Sequence, residues 1–164
     1  MRRLLALLLL SNVSAYSPLL REGEPVAAQA VGDAPARAAG PGVVYDVARR
    51  RTVLYGGVTD SFAFVGSWEW DGTAWHARRG ASPPPRYNHG MVYDPRRGVV
   101  IVFGGEGPDG KALADIWELD AGVWRERTTT GPPARAAFGA AFDEARGRMV
   151  VYGGFAPGAS APFH

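Results

Sequence analysis

The sequence contains no cysteine, a single lysine (Lys111) and only three histidines, His76, His89 and His164. Without thiols there is no disulfide scaffold, Cys-ligated zinc, thiol nucleophile or lipidated N-terminal cysteine. The histidines have no ligand-like spacing, and Glu106 and Asp109 are not set in a calcium-loop pattern, so no metal and no other cofactor is expected. Excess charge is also missing: Lys and Arg total 18 against 16 Asp and Glu, and without Arg2 and Arg3 the balance is 16 to 16. A neutral chain without a basic block has no electrostatic footprint for nucleic acid. The near-exclusive use of arginine reads as the composition of a GC-rich genome. The longest apolar run, Leu4 to Leu10, is seven residues, far short of the roughly 20 that cross a bilayer. No P-loop, dinucleotide fingerprint or serine nucleophile elbow is present.

Glycine and proline are abundant, at 22 and 13 residues, and predict many turns. At the N-terminus, Arg2 and Arg3 precede the Leu4–Leu10 run, and Val13-Ser14-Ala15 offers small residues for cleavage. Residues 1–15 therefore read as a signal peptide, predicting a secreted, periplasmic or cell-surface protein. Residues 16–36 are rich in Ala, Pro and Gly without a period and read as a linker; residues 156–164 read as a flexible tail.

Between them runs a repeat. Tyr55-Gly56-Gly57, Phe103-Gly104-Gly105 and Tyr152-Gly153-Gly154 are spaced by 48 and 49 residues, and Asp46, Asp94 and Asp143 keep the same steps. Arg37, Arg86 and Arg135 recur at 49, as do Trp68, Asp71 and Trp75 in Trp117, Asp120 and Trp124. Units of about this length are the signature of repeat architectures. Each unit predicts a four-stranded meander. An apolar stretch runs into the Asp, a tight turn follows, and a β-branched strand leads to the Gly pair. The Trp-bearing hairpin completes it. Gly98 and Gly147 sit where the first turn needs positive φ; Arg50 stands there in the first unit, predicting a different or strained turn.

These features resemble the kelch repeats of β-propellers, over residues 37–155, with units at 37–85, 86–134 and 135–155. The Pro-Pro-Pro-Arg-Tyr-Asn-His89 run is similar to the family's blade opening; Phe138 replaces the His in the third unit. The fold class expected is all-β, a partial propeller of about ten strands in a four, four, two arrangement. Such a count does not close a ring. The chain is expected to be a piece of a longer propeller or a protomer that closes by association, the former being favoured. The tryptophans are expected to supply most of the area between blades, and the glycine pairs to let blades approach.

Residues that recur at the blade period read as scaffold, which sets aside the carboxylates Glu69 and Glu118 and the three Asp turn formers. Positions that differ between units are where a site belongs. One end of the meander gathers Arg37, Arg86 and Arg135, Tyr87-Asn88-His89, and the loops after each Gly pair, with Phe62 and Phe64 in one and Glu106, Asp109 and Lys111 in the next. The arginines could grip an acidic partner, but their periodicity favours bonding carbonyls. The function expected is an exported, non-enzymatic binding protein, or a fragment of one, using this loop face to bind a protein or glycan. The resemblance also admits a fragment of a sugar-modifying enzyme, for which Arg86 with His89 is the sole hint; the copper-oxidase branch needs a Tyr-Cys cross-link this chain cannot make. A non-functional truncated product is the remaining reading.

Overall fold

In a computed structural model, residues 34–128 and 131–156 are described. The expected signal peptide, nearly all of the expected linker, and the expected tail beyond residue 156 lie outside them.

The chain alternates short apolar stretches with Gly- and Asp-rich turns, and each stretch forms a strand. The first unit gives β1 (Gly42–Asp46), β2 (Arg51–Tyr55), β3 (Ser67–Trp70) and β4 (Trp75–Ala77). The second gives β5 (Gly90–Asp94), β6 (Val99–Phe103), β7 (Ile116–Asp120) and β8 (Val123–Arg127), and the third β9 (Gly139–Asp143) and β10 (Arg148–Tyr152). Every pairing is antiparallel and sequential, producing sheets of four, four and two strands, ten strands among the described residues. The architecture is all-β, as the periodicity predicts.

The turn between the first two strands of each unit is built by its Asp. Asp46, Asp94 and Asp143 accept through Oδ1 from the backbone N–H of Arg49, Arg97 and Arg146, at 3.0, 3.2 and 3.0 Å. The last turn residue has φ of +68° at Gly98 and +67° at Gly147, and Arg50 adopts +54° in the same place. The first turn therefore keeps the shape of the others and carries the strain of a left-handed non-glycine residue.

The sheets pack face to face and approach most closely at their first strands, β5 lying between β1 and β9. Each sheet thus has a leading face toward the preceding unit and a trailing face toward the next. Between the first and second sheets, Val53 and Tyr55 of the trailing face meet Val100, Val102, Leu119 and Trp124 of the leading face. Between the second and third, Val92, Val99 and Ile101 meet Phe142 and Met149. The central strand β6 is buried at all five positions, because it alone among the second strands has a sheet on either side.

The tryptophans contribute less to these junctions than their repetition suggests. Trp124 is buried, with its ring 5.5 Å from Tyr55 and its Nε1 donating to Ser67 Oγ at 3.4 Å. Trp117 is half-buried and donates to Asp115 at 2.7 Å. Trp68 and Trp75 are half-buried on the leading face of the first sheet, where no described unit precedes them. Valine and leucine fill most of the seam instead. The glycine pairs behave as expected: a Cβ on Gly56 would come within 2.5 Å of the Arg86 carbonyl, and one on Gly104 within 2.7 Å of the Arg135 carbonyl. Gly57, Gly105, Gly153 and Gly154 complete the pairs, all at positive φ.

Candidate functional site: the loop face

The residues gathered at one end of the sheets divide into a buried set and a surface set. Arg86 belongs to the first and is fully enclosed. Its guanidinium donates to the carbonyls of Pro84 and Gly104 at 3.0 Å each, and forms a fork on Asp115 at 2.7 and 2.6 Å. Burial pushes the Asp115 carboxyl up, but the hydrogen bonds and charge of Arg86, with Trp117, outweigh it and leave it below the usual carboxylate range. Arg135 repeats the carbonyl bonds, to Pro133 at 3.2 Å and Gly153 at 3.1 Å, and is also buried. Arg37 is exposed. Arg86 and Arg135 hold carbonyls, as their period suggests, whereas Arg37 falls one residue out of structural register, Ala38 taking the equivalent position, so the three do not form a cationic patch.

His89 also lies in the wall between sheets. Both ring nitrogens are buried without a hydrogen-bond partner. The ring stands edge-on to Tyr55 at 5.5 Å, and a Cβ on Gly42 would fall 2.6 Å from its Nε2. Burial, reinforced by the Arg86 charge, lowers its pKa from 6.5 to about 3, so the imidazole is neutral. Its neighbour Tyr55 donates its hydroxyl to the carbonyls of Pro83 and Pro84 at 2.7 and 2.8 Å, and burial pushes that phenol up to about 12. Asn88 takes φ of +54°, its N–H bonding the Gly40 carbonyl and its carbonyl receiving the Ala137 N–H, so it stitches the three units together.

The surface set, half-buried at Phe64, Tyr87 and Glu106 and exposed at Phe62, Asp109 and Lys111, is separate from these. The loop after the first Gly pair folds back on itself: Ala63 N–H reaches Thr59 Oγ1 at 3.1 Å, and Phe62 N–H reaches the Thr59 carbonyl at 2.9 Å. This holds Phe62 at φ of +60° with its ring 84% exposed, the most exposed large apolar side chain among the described residues. Phe64 packs against Tyr87 of the next unit at 6.4 Å. Tyr87 and Glu106 exchange backbone bonds of 3.1 and 2.9 Å, and the Glu106 carboxylate, as acceptor and as charge, raises the Tyr87 phenol. Asp109 and Lys111 follow at the tip of the second loop, paired at 3.1 Å and open to water.

The structure therefore brings Phe64, Tyr87 and Glu106 together in one strip, with Phe62 on the first loop and Asp109 and Lys111 on the second. It removes Arg86, His89 and Arg135 to the interior. The sequence reading did not single out Asp115, whose place in the first unit is taken by Gly66, so no period marks it. Nor did it single out Trp70, which stacks on Trp75 at 5.7 Å. A cavity of about 620 Å³ lies elsewhere, between the second sheet and β10, lined by Ile101, Phe103, Ile116, Arg127, Met149 and Val151.

No protein-family model matches the chain. A stretch of 47 residues is 43% identical to dynein regulatory complex subunit 7 of Chlamydomonas reinhardtii, covering 27% of this chain and 4% of that protein.

Proposed function

We propose that the chain is an exported, non-catalytic binding module of kelch type that holds a protein or glycan on the strip formed by Phe64, Tyr87 and Glu106 together with Phe62 of the same loop as Phe64. Export rests on Arg2 and Arg3 before the Leu4–Leu10 run. The observation that carries the reading is Phe62, an aromatic ring held out in water by a left-handed, hydrogen-bonded loop. A strained residue presenting an apolar ring on a rigid scaffold is the usual form of a recognition loop. Arg86 and His89, the pair that would suggest catalysis, are consumed by the wall between sheets.

The full chain, immobilised, is exposed to extracellular protein and to a glycan array in parallel. Phe62→Ser and Tyr87→Ala are each expected to weaken the captured ligand roughly 30-fold or more, the scale of a central aromatic contact. A ligand held equally by both variants would place recognition elsewhere and overturn the reading.

A further inference from the structure

The two junctions inside the chain are built by one rule, and the chain carries an unused half of that rule at either side. On the trailing face, Tyr55 and Phe103 are each 2% exposed, whereas their counterpart Tyr152 is 75% exposed. Val150 is 46% exposed, against 0% for Val53 and 9% for Ile101. On the leading face, Trp124 is 4% exposed, whereas its counterpart Trp75 is half-buried beside Trp68, Trp70 and the open side chains of Val43 and Tyr45.

The backbone repeats the pattern. Gly57 N–H bonds the Arg86 carbonyl and Gly105 N–H the Arg135 carbonyl, both at 2.9 Å; since the bridges of Ala39, Tyr87 and Ala136 are equivalent, the next pair in this series is Gly154 N–H and the Ala38 carbonyl. Asn88 N–H bonds the Gly40 carbonyl at 2.8 Å and Ala137 N–H the Asn88 carbonyl at 2.9 Å; the next pair is Gly40 N–H and the Ala137 carbonyl. None of these four remaining groups bonds another backbone group among the described residues. The two open faces are thus unlike each other and complementary, which is the condition for a head-to-tail interface.

We propose that two copies of this chain close a ring of six sheets, the trailing face of each third sheet packing on the leading face of the other copy's first sheet. Two copies supply six sheets, four of them four-stranded and two of them two-stranded, a number within the roughly four to eight that close a propeller. In each new junction Tyr152 takes the part of Tyr55 against Trp75, its hydroxyl donating to the Pro35 and Ala36 carbonyls, as Tyr55 does to Pro83 and Pro84. The Tyr45 hydroxyl accepts from Ala145 N–H, as the Tyr93 hydroxyl accepts from Ala48 N–H at 3.0 Å.

The test is the mass of the full chain in solution, by light scattering after gel filtration, with far-UV circular dichroism confirming the fold of each variant. The expected mass is twice 17.5 kDa. Tyr152→Asp and Trp75→Asp, both at open positions, are each expected to run at the single-chain mass with unchanged spectra. Mixing the two variants restores one intact junction, so the mixture is expected to recover two-chain species that neither variant forms alone. A single-chain mass for the unaltered protein, an open-ended polymer, or a dimer that survives both substitutions would overturn the ring. Failure of the mixture to recover would show like-to-like association and overturn it equally.

Discussion

His89 occupies the position that Phe138 takes one repeat later, and the two rings do the same job: one stands against Tyr55 at 5.5 Å, the other against Phe103 at 5.6 Å. The difference is that the imidazole titrates. Folded, it stays neutral down to about 3, while unfolded it takes up its proton near 6.5. Between those values the unfolded chain binds more protons, so stability falls as pH falls, by up to about 1.4 kcal/mol per pH unit. His89→Phe is expected to remove that slope; urea unfolding of both proteins at steps from pH 6.5 to 4 checks it, and parallel curves would refute it. At Arg86 the expected effect is larger. Arg86→Ala strands a partly buried carboxylate and two carbonyls and is expected to cost about 3–5 kcal/mol. Arg37→Ala, at an exposed arginine one residue out of structural register with Arg86, is expected to change stability by about 0.5 kcal/mol or less, and the same denaturation series compares them. The burial of His89 is not legible in the sequence, because a histidine before a strand looks the same whether it faces water or a neighbouring sheet. What encloses it is the close pass of Gly42 and Gly56.

The turn from β1 to β2 shows what a repeated element can absorb. Arg50 is held at φ of +54° by an Asp-capped turn identical in plan to those with Gly98 and Gly147. Left-handed backbone costs a non-glycine residue about 1–2 kcal/mol, part of which glycine gives back in chain entropy. Arg50→Gly is therefore expected to stabilise the chain by about 0.5–1 kcal/mol, measured as a higher urea midpoint at unchanged slope. This strain was readable beforehand, because the neighbouring units print the glycine that the first one lacks. All ten strands were legible for the same reason: Asp, turn and Gly pair mark the ends of the first two, and the Trp-bearing hairpin marks the others. Asp115 was hidden by that logic. A partner present in one unit and replaced by Gly66 in another has no period, yet it fixes the most enclosed cation among the described residues.

Across the molecule, coverage is graded. Among the described residues the second sheet is packed on both faces, the first only on its trailing face and the third only on its leading face. Association of the kind proposed would cover both remaining faces at once, so the thermal midpoint is expected to rise with protein concentration, whereas in Tyr152→Asp it should not. Scanning calorimetry over a hundredfold range of concentration reads this directly. The sequence could show how the strands are shared among the units, since the repeated anchors mark them. It could not show which side chains stand open, because Tyr152 and Tyr55 are the same residue in the same motif.

The sameness of the junctions bears on inheritance as well as assembly. Each seam joins one trailing half to one leading half, and every unit carries one of each. Duplication or loss of a whole unit of DNA, cut anywhere within it, therefore leaves each remaining half with a fitting mate. A shift of any other length separates an Asp from its turn or a Gly pair from the carbonyl it passes. A gene built this way can change its number of units in single recombination steps while each seam stays intact, and the loop that carries Phe62 can diverge in one unit without disturbing the others.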